Sequence, residues 1–352
     1  MKINNAILHV FDFVSCINVF SEEELDCGVR TQKSYVTRIV RKALTSLDNM
    51  HGEFSAESTF ADGLRAYARG ERGFADLSRQ IGEYLADQLG RMSKSVSTDL
   101  LVVDFEEEPD IAPGQMTDEQ IERSFSGAGD RYVGLFLLES KQAYMHEVGK
   151  GESGGRNDIV RHFAILPNPS QKLTSFALID LRTLEVTFQD KKREIAGEET
   201  WLIPDGLLRC SMQASTKDTL GAVTRIVEEV AEEYGTNTAV ALSKAKAYAA
   251  QSVEENDDIE LEALADEVFE AAPAARDRFE QVAREQQMPE RMPLEREAVR
   301  RVTRNHKIVT DTGIVITFPA EYARTSDYIT FTSEPDGKIS IQLKNINHIE
   351  NR

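Results

Sequence analysis

The spacing of apolar residues changes repeatedly along the chain, and each change predicts a different element. Residues 3–20 alternate loosely and carry many β-branched and aromatic side chains, which predicts a strand or hairpin. From Gln32 to Leu47 the apolar positions Val36, Ile39, Val40, Ala43, Leu44 and Leu47 fall at helical spacing. Ser55 reads as the cap of a second helix with Phe60, Leu64 and Tyr67 inside, and Gly70 as its stop. Phe74, Leu77, Ile81, Leu85 and Leu89 define a third helix. The pattern then turns to period two. Thr98–Phe105 is a strand, and Glu106–Gln115 is an acidic, Pro-containing loop. Arg131–Glu139 and Gln142–Val148 read as paired strands, and Gly149–Asn157 as a mobile loop rich in Gly and Ser. Leu173–Leu181 and Leu184–Gln189 form another β pair.

Helical spacing returns from Thr216 to about Ala250, interrupted at Gly235, and again at Ile259–Phe269. Pro273, Pro289 and Pro293 punctuate the next stretch, Leu294–Arg304 is a last helix, and strands close the chain: Lys307–Thr310, Gly313–Phe318, Tyr328–Thr332 and Lys338–Leu343. Pro335-Asp336-Gly337 supplies the turn between the last two. The expected fold is α+β: a mainly helical region 1–97, a central β-rich region 98–215 with a mixed or antiparallel sheet, and a helical region 216–352 ending in β-hairpins.

Composition sets limits on what this fold can do. With 352 residues, 41% hydrophobic and 29% charged, the chain can bury a real core. Its formal net charge of -19 opposes contact with phosphate, so any grip on nucleic acid must come from a local basic patch. Three cysteines are too few for a disulfide framework and match no zinc spacing. The run Ala6–Cys16 imitates a lipoprotein leader, but Asn4, Asn5, His9 and Asp12 break its apolar character, and no run approaches a membrane span. The expectation is a cytoplasmic protein without membrane contact.

Several stretches resemble, in order and spacing, the bacterial 37-kilodalton nucleoid-associated protein family. They are Ile3–His9; Gly52-Glu53-Phe54-Ser55-Ala56-Glu57-Ser58 with Leu64-Arg65, Arg69-Gly70-Glu71, Phe74 and Ser78; Ile259–Ala265 with Phe279; Gly313–Phe318; and Lys338–Ile341 with Ile346-Asn347. The resemblance spans most of the chain. It implies a protein that co-localises with the bacterial nucleoid and associates with DNA. The shared residues look like caps, core positions and turns, so they carry no mechanism of their own.

Two basic stretches stand out against the acidic background. Arg30, Lys33, Arg38, Arg41 and Lys42 occur with no acid between positions 27 and 47, largely opposite the apolar stripe. Arg296, Arg300, Arg301, Arg304, His306 and Lys307 form the second. The candidate DNA-binding residues are therefore Lys33, Arg38, Arg41, Lys42, Arg300, Arg301, Arg304 and Lys307. The plainer alternative is a solvated helix face neutralised by acids folded against it. No base-reading motif is present, so the expected partner is double-stranded DNA bound without sequence preference.

Two further functions compete. The acidic stretch Glu254–Glu262 would suit an adaptor that meets a basic surface on a DNA-processing protein, or would simply cap the next helix. Glu139-Ser140-Lys141, with Asp104 and Asp130 upstream, faintly resembles a Mg²⁺-dependent nuclease site. The glycines at 149–155 lack the Gly-Lys-Ser/Thr ending of a phosphate loop, and the six His show no metal-ligand spacing. No catalytic residue, metal or cofactor is expected; self-association into a homo-oligomer is compatible with the sequence.

Overall fold

The opening alternation becomes strand β1 (Lys2–Asp12), which turns back on the short β2 (Ile17–Val19). Helix α1 (Arg30–Leu44) comes next, then β3 (Met50–Glu53), α2 (Thr59–Ala68), α3 (Phe74–Gly90), β4 (Thr98–Glu107) and β5 (Asp130–Glu139). The chain continues through β6 (Lys141–Gly151), β7 (Gly154–Ile165), β8 (Phe176–Asp180), β9 (Glu185–Gln189), β10 (Lys192–Ile195), β11 (Glu198–Trp201) and a π-helical turn at Leu202–Leu208. This is a computed structural model. It describes residues 1–352 except 14, 57, 95, 108–129, 152–153, 320–321, 323–326, 334–338 and 349–352. Most of the acidic loop read at Glu106–Gln115 and the turn at 335–337 lie outside the described residues.

Seven strands form one sheet in the order β2-β1-β4-β5-β8-β9-β3, with every neighbouring pair antiparallel. Strict alternation along β4 divides its side chains between two cores. Leu100 and Val102 face α2, α3 and the π-helical turn, while Leu101, Val103 and Phe105 face α1. The sheet is thus buried on both faces, which explains why β4 and β5 read as nearly continuous apolar runs. Helix α1 closes its face with Val36, Ile39 and Val40, all fully buried. Each contributes on the order of 1.5–3 kcal/mol, as an upper estimate.

The chain separates into two compact units, Met1–Gln213 and Ala214–Arg352. The second contains α4 (Thr216–Glu233), α5 (Thr238–Asn256), β12 (Asp258–Glu260), α6 (Leu261–Val268), α7 (Pro273–Glu285), β13 (Arg291–Pro293) and α8 (Arg296–Thr303). Its helices share a core around Val227, Val230, Leu264, Phe279 and Val299. Two hairpins end the chain: β14 (Asn305–Val309) with β15 (Val315–Pro319), and β16 (Ile329–Ser333) with β17 (Ile339–Leu343). The α+β class and the antiparallel sheet are as the sequence predicts.

Details differ. β5 pairs with β4 and β8, not with β6. Only Ser140 separates β5 from β6, too short a link for the two-residue hairpin turn that their pairing requires. β6 instead pairs with β7 from Lys141↔Ile165 to Gly151↔Gly154, so the residues read as a Gly-rich loop are largely strand. Ser58, not Ser55, caps α2, accepting from the Ala61 amide. Helix α7 is hidden in the sequence because Pro273 reads as a breaker. It occupies the first turn, where the missing N–H costs nothing.

Candidate nucleic-acid interface

Helix α1 positions its cations by simple periodicity. The buried residues Val36, Ile39, Val40 and Ala43 form one stripe, and Arg30, Arg38, Arg41 and Lys42 project from the opposite side, with Lys33 at the flank. All five are exposed. Arg38 donates one hydrogen bond, from Nη2 to Ser170 Oγ at 2.7 Å. That partner is neutral, so the guanidinium charge stays uncompensated. Among the described residues no carboxylate lies within ion-pair distance of any of these five side chains.

The helix is also poorly terminated. Val29 offers no capping side chain, and the first turn holds no acid. Arg30 and Lys33 stand where the helix dipole already concentrates positive charge. By contrast, α2 has Ser58 as cap and Asp62 in its first turn, and α4 has Ser215 and Asp218. A helix that departs from these rules without a local compensation points to a role beyond stability.

The second basic stretch has a different environment. Arg300 donates to Glu254 at 2.7 Å and 3.0 Å and to Glu297 at 3.1 Å. The Glu254 pairing is the largest influence raising the Arg300 pKa. Arg296 pairs with Asp257. Arg301, Arg304 and Lys307 are exposed, and Arg301 also has a partner within the fold. Four of the six acids in Glu254–Glu262 are therefore paired with arginines within the fold. Besides Arg296 and Arg300 the stretch meets Arg291 through Glu260 and Arg276 through Glu262.

The carboxylates of the nuclease-like reading do not converge. In the β4–β5 register Glu139 stands opposite Thr98, Asp104 opposite Val133, and Asp130 opposite Glu107. Glu139 is thus about 20 Å along the sheet from Asp104 and about 30 Å from Asp130, at roughly 3.4 Å per residue. Each carboxylate has its own partners. Glu139 binds Lys191 at 2.5 Å. Asp130 faces Arg182 at 3.8 Å. Asp104 is fully buried and accepts from Arg131, Asn4 and the Tyr67 hydroxyl. Burial, and then the bond to Asp104, push the Tyr67 pKa well above its ordinary value. This network fastens α2 to the sheet. Among the described residues no three His, Cys, Asp or Glu side chains gather as a metal site would require, and the cysteines at 16, 27 and 210 are free thiols.

The motif Gly52–Ser58 has a structural explanation. A side chain at position 52 would meet the Ser211 carbonyl oxygen at 2.2 Å, so only glycine admits the segment that closes on β3. Ser58 reaches across to the Leu208 carbonyl at 2.7 Å while capping α2. Gly70, with φ +74°, ends that helix. Residues 7–350 match the sequence profile of a family described as nucleoid-associated protein YejK. The chain belongs to this nucleoid-associated family. Membership assigns it to the nucleoid, in the cytoplasm. No curated protein matches the chain. Among the described residues no helix is long and apolar enough to cross a membrane. Gly52, Ser58 and Gly70 thus maintain the first unit's architecture.

Proposed function

We propose that the protein associates directly with duplex DNA through the exposed face of α1, holding phosphates and reading no bases. The observation that carries this is the set Arg30, Lys33, Arg38, Arg41 and Lys42: exposed, free of acidic partners among the described residues, and arrayed on a helix of 15 residues. Such a helix is about 22 Å long, enough to follow several phosphates of one strand. In a chain with a net charge of -19 a cationic face of this kind is the part that counterion release would favour. The basic stretch at α8 is a weaker candidate, because Arg296 and Arg300 are neutralised within the fold. The adaptor reading loses its main feature for the same reason.

The test is a titration of unrelated duplexes at several salt concentrations. Direct association gives a linear log–log dependence of affinity on salt, with a slope near -0.9 per phosphate contacted, roughly equal for all sequences. Reversing Arg38, Arg41 and Lys42 to Glu flattens that slope. Full affinity and an unchanged slope in the triple variant would falsify the proposal.

A further inference from the structure

Strands β6 and β7 form a two-stranded ribbon of their own, not joined to the seven-stranded sheet. Their register assigns side chains to faces. One face carries Tyr144↔Arg161, His146↔Ile159 and Val148↔Asn157; the other carries Ala143↔His162, Met145↔Val160 and Glu147↔Asp158. Both described acids are thus on the second face. On the first, Tyr144 is 70% exposed, Val148 73% and Ile159 80%, and Arg161 lies over the Tyr144 ring at 5.7 Å. An isolated ribbon is marginal in water, and an exposed stripe of large apolar side chains on one adds to that cost. The stripe therefore points to an occupant.

The ribbon is rooted beside α1. Immediately after β7, Leu166 packs into the α1-side core, the Pro167 carbonyl accepts from the Tyr35 hydroxyl at 2.9 Å, and Ser170 holds Arg38. Tyr35 and Arg38 are both α1 residues. A second copy of the chain fits the stripe poorly. A ribbon of 11 residues spans about 36 Å and is about 10 Å wide, so two stacked faces cover roughly 700 Å² in total. Stable dimers need about 1,200 Å² or more. A DNA major groove, about 12 Å wide, admits a two-stranded ribbon edge to edge. Arg161 then faces phosphate, Val148 and Ile159 lie against deoxyribose along the groove wall, and Glu147 and Asp158 point away from the duplex.

We propose that the Tyr144–Val148–Ile159–Arg161 face of the ribbon lies in the major groove of the duplex whose phosphates α1 holds. This rests on the DNA association proposed above and adds a second, apolar contact to it. The test uses the full chain, plain duplex DNA, and the same duplex carrying bulky glucosyl groups in its major groove. Val148→Thr with Ile159→Thr keeps charge and β-propensity while removing apolar contact, and both positions are exposed, so the fold is retained. The expected result is about a tenfold loss of affinity in the double variant, equivalent to roughly 1.4 kcal/mol, and a comparable loss for the native protein on glucosylated duplex. Met145→Thr, on the opposite face, leaves binding unchanged. If the native protein binds and the α1 triple variant does not, yet the ribbon double variant keeps full affinity, the ribbon contact is wrong and the α1 reading stands. If the double variant instead changes the mass of the protein in solution without changing DNA affinity, the stripe is a contact between copies. If the native protein binds no duplex at any salt, both readings fall.

Discussion

Helices α1 and α8 carry similar basic runs and have opposite electrostatic fates. In α8 the cations at 296 and 300 meet Asp257 and Glu254, residues from about forty positions earlier in the same unit. In α1 no acid meets the cations among the described residues, although the chain as a whole has 60 Asp and Glu against 41 Lys and Arg. A charge run is therefore a functional signal only after the fold has decided what lies opposite it. The same count of arginines is a structural brace in one place and, in the other, an exposed cationic face without acidic partners among the described residues.

The comparison can be broken most directly by charge reversal. Arg38→Glu, Arg41→Glu and Lys42→Glu together should reduce the log–log salt slope of DNA binding by about three units, one for each lost phosphate contact. Arg300→Glu, Arg301→Glu and Arg304→Glu together should move it by less than about one unit. A larger slope change from the α8 set, measured by fluorescence titration, would invert the assignment.

The buried side of α1 sharpens the contrast, because it faces a charge that the fold tolerates badly. Asp99 lies in the sheet near Tyr35, and burial, then Asp12, raise its pKa to about 6 from 3.8. A carboxyl with a raised folded-state pKa weakens the fold once it ionises. The penalty is complete above pH 6, fades as pH falls, and vanishes below about pH 4, where both states are protonated. Asp99→Asn should therefore stabilise the first unit at pH 8 by up to about 3 kcal/mol and leave it unchanged at pH 4. Thermal melts at the two pH values decide this; equal shifts at both would exclude ionisation as the cause.

Smaller effects separate α1 from the well-capped helices. Ser58→Ala should destabilise the first unit by about 1–2 kcal/mol, since it removes a cap and a buried hydrogen bond to the Leu208 carbonyl. Val29→Asp would give α1 the cap and acid it lacks, with a gain of about 0.5–1 kcal/mol in stability and a loss of DNA affinity. A stabilised variant that binds DNA as well as before would mean that the missing cap has nothing to do with the cationic face. Smallest is Arg300→Ala: an exposed pair with Glu254 should be worth about 0.2–1 kcal/mol, less at high salt.

Much of this architecture is legible in the residues themselves. The helical stripe of α1, the apolar run of β4 and the β8–β9 pair arise from spacing that no tertiary contact overrides. What stays hidden has identifiable causes. The partner of β5 is decided by the single residue between it and β6, a matter of loop length and not of propensity. The ribbon is masked by glycines at 149, 151, 154 and 155, which read as punctuation although they sit at paired strand ends. Pro273 conceals a helix by standing at its start. Within the candidate interface, both basic runs are visible, but their pairing is not, because Glu254 and Arg300 are brought together only by the packing of α5 against α8.

The margins of the seven-stranded sheet have a consequence for crowding. Along the outer side of β1, the Ala6 carbonyl accepts from the Leu25 amide and the Leu8 carbonyl from Ser21. Along the outer side of β3, His51 exchanges both backbone bonds with Gln213, and Glu53 is answered by Ser211. Along these stretches of β1 and β3, then, main-chain groups that would otherwise recruit a foreign strand are already occupied by the protein's own chain. A molecule concentrated in the nucleoid meets its own copies far more often than one dispersed in dilute solution. Occupied edges of this kind keep such encounters from growing into strand-swapped aggregates, so crowded neighbours can still part as intact molecules.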